Sequence, residues 1–428
     1  MSYGGAKPTR EPCYYAQRRM PAGNRRRPEA PSQLKAPGPF TFAAGQRHDV
    51  APIVAPENLI VTWNQCAREG GPAPGADGLR YRDLGRSQAA VAMRMLSAAV
   101  MEGRYRPQPS RAVSIPKNTG GTRGLHLRSV IDRNLSTAVT TAVTPLIDRT
   151  LLPTSYGFRK DRGVADLLAE LEVSAVRDGY AVLVDTDIRQ AFDYVPIHDA
   201  VAALASSLTE SNLLALVETI LRGHDGPTRT VGIDQGDPLS PITLIKLLDE
   251  RLDRPLIAAH PGIRSWRFAD NHVIAAQNTD AAEAALETTR RLLNEIGMTL
   301  KGDPHPVDLL RPGVDVEILG YVVSMNRTGN LRLRVRPRAW ERLHEHVDVA
   351  ATHDRPSRQV ARVVDGWSQY FGVCFETQAE RRRAARRIIN TVLLGDRDAP
   401  TQELIVATLH KTYETWRRRA HKLRVVAR

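Results

Sequence analysis

From Pro56 onward the chain alternates between stretches whose apolar residues recur every three or four positions and shorter runs in which they alternate or stand side by side. The first spacing lines one face of a helix, the second one face of a strand. Helical spacing covers "PENLIVTWNQCAREGG", "SQAAVAMRMLSAAVMEGRY", "NLSTAVTTAVTPLIDRTL" and "VADLLAELEVSAV". "GGPAPGADGLRYRDL" predicts a turn, with Gly75 and Gly78 where the backbone bends sharply. "RAVSIPKNTGGTRGLHL" alternates and breaks at Asn118–Gly121, the pattern of a β-hairpin with a glycine-containing loop. "YAVLVDTDI" predicts a strand ending at Asp187, with Asp185 and Asp187 on one face. "SWRFADNHVIA" predicts a hairpin with Asp270 at its tip, and "EILGYVVS" a strand pair turned at Gly320. Beyond "NLRLRVRPRAWERLHEHV" the pattern is helical and basic, and the helical spacing of Trp367, Tyr370 and Phe371 predicts a local core.

Composition adds a partner. The chain has 428 residues, 42% hydrophobic and 25% charged, ordinary values for a globular protein. Its 60 Lys and Arg against 47 Asp and Glu are not ordinary, and the net charge of +13 favours a polyanion, most simply nucleic acid. Residues 1–50 are rich in Arg, Pro, Gly and Ala and bury too little to order themselves; they read as a basic tail, either plainly disordered or clamping RNA or a protein partner. Cys13, Cys66 and Cys374 are too scattered for a zinc site or a disulfide framework, which suits a reducing cytosol. No apolar leader stands at the N-terminus and no run approaches ~18 apolar residues, so the expectation is a cytoplasmic protein without a membrane span.

Four blocks carry chemistry in a fixed order. "LVDTDIRQAFDYV" ends a strand at Asp187 and sets Phe192 five positions on. "GIDQGDPLSPITLIKLLDERLD" runs a turn holding Gly232, Gln235, Gly236 and Pro238 into a helix that Ser240 is expected to cap. "RFADNHVIAA" and "EILGYVVS" complete the set. Singly each is weak, since an aspartate closing a strand is usually a turn residue.

In this order the blocks resemble the palm motifs of reverse transcriptases, specifically the bacterial group II intron-like branch. "GADG", "GRYRPQPSRAVSIPKNTGGTRGL" and "LPTSYGFRKDRG" resemble its fingers, and "DGWSQYF" its thumb. The resemblance implies an α+β right-hand polymerase fold: tail 1–50, helical fingers 51–175, antiparallel-sheet palm 176–330 and basic helical thumb 331–428. It implies an RNA template, dNTPs and a DNA product, with two Mg²⁺ ions, or Mn²⁺ in their place. Two such ions stabilise the entering and departing oxygens of nucleotidyl transfer, and Mg²⁺ takes a few carboxylates plus substrate phosphates. By resemblance Asp187 and Asp270, with Ile188, form the metal site, and Asp187, Asp270 and Asn271 the catalytic set. Phe192 stands under the sugar and excludes a 2′-hydroxyl. Lys117, Arg123 and Arg128 grip the triphosphate, and Gln235 and Gly236 approach the template and new base pair.

Three departures stand out. Asp234 and Asp237 replace a more usual proline and glycine, so either a neighbouring arginine compensates or the template path differs. Pro304 stands where a lysine is expected, leaving Lys301 or His305 as candidates to protonate pyrophosphate. Asn271 replaces a second aspartate. That amide fits a natural active enzyme, a natural RNA-binding scaffold or maturase-like splicing cofactor, or an engineered trap. The retained gate, grip and lead carboxylates favour an enzyme. Nothing resembles an HNH endonuclease or RNase H domain, which favours a bacterial defence enzyme copying a dedicated non-coding RNA. Template-independent or protein-primed DNA synthesis stays open, as does a homo-oligomer.

Overall fold

The computed structural model describes residues 38–43, 45–69, 73–116, 122–352, 356–392 and 400–426. Most of the predicted tail, Lys117 and the loop Asn118–Gly121 lie outside the described residues, and Arg123 is described by its backbone alone. The chain forms two compact units, one of Gln33–Val164 with Gly179–Asp308, the other of Ala165–Asp178 with Leu309–Arg428.

In the first unit the helix Val130–Asp148 is the central element. Leu135, Ala138, Val139, Ala142 and Val143 are fully shielded on it, the pattern of a helix enclosed on most of its circumference. Ser129 caps it, its hydroxyl accepting the Asp132 N–H at 3.1 Å. The helices Pro56–Glu69 and Arg86–Met101 pack beside it. The predicted hairpin is present as β1 (Arg111–Pro116) and β2 (Thr122–Leu127), antiparallel with Ile115 opposite Arg123.

A four-stranded antiparallel sheet follows, built from β3 (Val182–Asp187), β4 (Arg264–Phe268), β5 (Asn271–Ala276) and β6 (Val307–Asp308) in the order β4–β5–β3–β6. The amphipathic helix Thr279–Glu295 packs on it through a buried stripe that includes Ala282, Leu286 and Leu293. The helix Ser240–Leu248 is buried along its length and passes through a π-helical turn, Asp249–Asp253, into Arg254–Ala259. Its cap differs from expectation. Ser240 is already helical and Leu239 takes the cap position, while Asp237 Oδ1 accepts the Leu239 N–H at 2.8 Å.

The second unit holds a meander of β7 (Asp315–Ile318), β8 (Tyr321–Met325) and β9 (Leu331–Val335) with four helices, Pro337–Ala351, Pro356–Phe371, Gln378–Val392 and Gln402–Val426. β7 and β8 turn through Leu319 and Gly320, both with positive φ (49° and 87°), as a tight hairpin requires. Trp367 and Phe371 are buried as the helical spacing predicts, with ring centroids 4.9 Å apart, and Tyr370 is half-buried, its hydroxyl donating to the Leu319 carbonyl at 2.7 Å.

Candidate active site

β3 and β5 pair so that Asp187 lies directly opposite Asn271, and the Ile188 N–H donates to the Asp270 carbonyl at 3.1 Å. Asp187 and Asp270, distant in sequence, therefore meet at one end of the sheet. The two-residue connection from β4 to β5 is Ala269–Asp270, and Ala269 bends it with φ of +60°.

What holds this tip was not legible as function. Arg267 is 1% exposed, and its guanidinium meets both carboxylate oxygens of Asp253, 3.0 and 2.9 Å from Nε. It also donates to the carbonyls of Ala269 at 3.0 Å and Ile245 at 2.9 Å, so a buried cation grips the bend beside Asp270. Asp253 ends the π-helical turn. Breaking such a buried pair costs about 3–5 kcal/mol. The segment "LPTSYGF" lies along β4: the Arg267 N–H donates to Thr154 O at 3.0 Å and the Tyr156 N–H to Arg267 O at 2.8 Å. Gly157 then passes so close to the bend that a Cβ there would stand 2.1 Å from Ala269 N. Beneath the tip, burial and the nearby Arg267 push the His272 imidazole down to about 3, so it is neutral; Nε2 bonds the Ser265 hydroxyl at 2.6 Å. A charged residue within the strand "SWRF" and a glycine in "SYGF" were the signals available in the sequence.

The donors fit a divalent ion. Asp187 and Asp270 offer carboxylates, Asn271 an amide oxygen, and Mg²⁺ is commonly held by one or two carboxylates with substrate phosphates and waters. A cation already sits there: Lys301 Nζ lies 3.0 Å from Asp187 Oδ2, and the Lys301 N–H donates to Asp187 O at 2.7 Å. Among the described residues no group of three His, Cys, Asp or Glu could hold a metal, so Asp185 does not complete a third carboxylate of one set. Ile188 is buried and aliphatic, leaving only its main-chain carbonyl as a donor. Asn271 Nδ2 stands 3.5 Å from Asp270 Oδ1, the outer limit of hydrogen bonding. His305 is exposed beyond Lys301.

Phe192 is half-buried against the core, and its carbonyl accepts the Ile233 N–H at 2.9 Å, which joins the segment after β3 to the turn before Ser240. Gln235 is half-buried and Gly236 exposed, with φ of +111° that suits glycine. Arg128 requires a correction. Its side chain is 4% exposed and lies 2.7 Å from Asp237 Oδ2 and 3.1 Å from Asp234 Oδ2, so it is not presented to a triphosphate. It is the arginine that compensates the two unexpected aspartates, helped by Arg229 at 2.7 Å from Asp234 Oδ1. Burial nevertheless raises the Asp237 carboxyl above its usual range. Of the three grip residues, Lys117 lies outside the described residues and the Arg123 side chain is not described.

The two basic runs of the second unit differ. In "TWRRRAHKLR", Arg417 and Arg424 converge on the fully buried Glu172 Oε1 at 2.7 and 2.9 Å, and Arg419 pairs with Asp166. Those three arginines are engaged by carboxylates of the helix Val164–Arg177. In "ERRRAARR", Arg382, Arg383 and Arg386 are exposed on neighbouring turns, and Arg387 lies over the Trp340 ring at 4.2 Å.

Residues 115–303 match the reverse transcriptase (RNA-dependent DNA polymerase) family, and this stretch contains β2 through the Lys301 contact. Protein YkfC of Escherichia coli strain K12 is 28% identical over 190 residues, 42% of this chain and 50% of that protein. The Pol polyprotein of the type-1 retrotransposable element R2 of Popillia japonica is 27% identical over 271 residues, 55% of this chain and 37% of that one. The chain thus spans half or less of these curated relatives. Among solved structures, apo telomerase of Candida tropicalis overlays with a TM-score of 0.44 and 10% identity, covering 74% of this chain and 66% of that one. The mixture of helices with antiparallel sheets is the α+β architecture the motifs imply. Among the described residues no helix is long and apolar enough to cross a membrane.

Proposed function

We propose that the chain is an RNA-directed DNA polymerase that extends a DNA strand from dNTPs, with Asp187 and Asp270 holding two magnesium ions. The observation that carries this reading is the β3–β5 register, which sets Asp187 opposite Asn271 and bonds Ile188 to Asp270. Divalent ions bound there would neutralise charge on the attacking 3′-oxygen and the departing pyrophosphate. The chain's residues do the positioning. The two carboxylates anchor the ions, the Arg267 brace fixes the bend that carries Asp270, Phe192 stands beneath the sugar, and the exposed Gly236 backbone supports the new base pair. Lys301 neutralises Asp187 until a divalent ion takes that place. Asn271 lowers the charge of the set, and supports a second reading in which the protein binds RNA without copying it.

The test is incorporation of labelled dNTPs by the purified protein with its copurifying nucleic acid, which is also sequenced to identify the template. Asp187→Asn should lower incorporation by at least about a hundredfold, as loss of a central electrostatic group does. Asn271→Asp should restore a carboxylate and lower the Mg²⁺ requirement by roughly tenfold. The same assay with ribonucleotides reads the Phe192 gate. Salt-sensitive RNA binding without incorporation at any Mg²⁺ concentration, by either the parent or Asn271→Asp, would establish the scaffold instead.

A further inference from the structure

We propose that Arg128 is a positioning residue: its buried guanidinium locks the Asp234–Asp237 turn onto the β1–β2 hairpin, and so sets the Gln235–Gly236 backbone against the new base pair. This rests on the polymerase reading for its consequence but not for its geometry. Arg128 directly follows β2, so its backbone moves with the hairpin. Its side chain reaches both ends of the turn, Asp234 and Asp237, and Nη2 donates to the Ile220 carbonyl at 2.6 Å. The middle of the turn is tied to the same hairpin independently, because the His126 N–H donates to Gln235 O at 2.9 Å. Asp237 extends the brace inward, Oδ1 accepting the Ser136 hydroxyl at 2.7 Å and the Leu239 N–H at 2.8 Å.

Arg128, Asp234 and Asp237 are all buried, whereas Gly236 between the two aspartates is exposed. A turn that merely needed packing would be held as well or better by apolar side chains, since buried ion clusters are weak sources of stability. What the buried guanidinium adds is position: its charge is held within 3.1 Å of both carboxylates, and Nη2 is directed onto the Ile220 carbonyl. The result is an accessible stretch of main chain mounted on a rigid charged base. Such a device controls where a ligand's atoms can sit, and an error of about 1 Å at a reacting complex costs rate and selectivity.

The test uses Arg128→Lys, which keeps the charge but cannot span both carboxylates and the Ile220 carbonyl, with Asp237→Asn as a second variant of nearly unchanged volume. Under conditions where circular dichroism shows both folded, hydrogen exchange of the His126 and Asp237 amides should quicken by about tenfold while β3 and β5 keep their protection. In primer extension, the KM for the matched dNTP should rise more than kcat falls, and preference for matched over mismatched dNTP should drop by roughly tenfold. Unchanged exchange in both variants would overturn the brace. Faster exchange with parental KM and matched-dNTP preference would reduce the cluster to a purely structural part and overturn its positioning role. A parent that makes no product, like its Asp187→Asn variant, would sink the polymerase reading, and with it the base-pair role, while the exchange result still decides the brace.

Discussion

Ala269 bends the chain between β4 and β5 at φ of +60°, a conformation that crowds a Cβ against the backbone. The strain, about 1–3 kcal/mol at such positions, is tolerated because Arg267 holds the Ala269 carbonyl and Gly157 leaves room beneath. Ala269→Gly should relieve it, raising stability by about 1 kcal/mol in a denaturant titration; a lower midpoint would mean that packing of the methyl outweighs the strain. Asn271 is the other residue whose chemistry matters singly. Facing Asp187, it keeps the shape of an aspartate while removing one charge from a set that Lys301 already partly neutralises. The Mg²⁺ requirement is therefore the property in which its effect should appear first.

The β4–β5 hairpin does not stand alone as an element. The segment Thr154–Tyr156 lies along its outer edge by main-chain bonds, β3 along its inner edge, and the π-helical turn supplies Asp253 to its interior arginine. Edge and tip are joined at Gly157, where a Cβ would collide with the backbone of Ala269 rather than with a yielding side chain. Gly157→Ala should push the bend outward, costing about 1–3 kcal/mol or more, and abolish activity before the protein unfolds. The check is a thermal melt beside incorporation measured well below the midpoint; parental activity would show that the edge segment does not set the tip. The β1–β2 hairpin is likewise joined to the Gln235–Gly236 turn, through Arg128 and His126.

Over the whole molecule, the excess of 60 basic over 47 acidic residues is not spread evenly in function. Arg417 and Arg424 serve a buried glutamate, whereas Arg382, Arg383 and Arg386 face solvent. Replacing the latter three by Gln should flatten the dependence of log K on log salt for single-stranded RNA by up to about 2, each phosphate contact contributing roughly 0.7, with little change in melting. Replacing Arg417 and Arg424 together by Met should do the reverse, costing about 3–5 kcal/mol by stranding Glu172 and leaving the salt slope alone. Equal slopes in parent and triple variant would show that the helix Gln378–Val392 makes no phosphate contact in the proposed RNA complex.

Local order alone specified the strand ending at Asp187, the hairpin carrying Asp270, the glycine turn before the helix Ser240–Leu248 and the aromatic cluster around Trp367, because each is written in residue spacing along a few turns. The polymerase chemistry came from the resemblance of the ordered motifs to those of reverse transcriptases, not from spacing. Tertiary structure alone decided what the charges do. Arg128 is a phosphate ligand by resemblance and in the fold a buried bridge between Asp234 and Asp237; Arg267 is an interior partner of Asp253, and the half-buried Arg417 and Arg424 pair with the fully buried Glu172. A charge reveals neither its burial nor its partner in one dimension. Its role follows from which opposite charge the fold brings within about 3 Å, where desolvation makes pairing decisive.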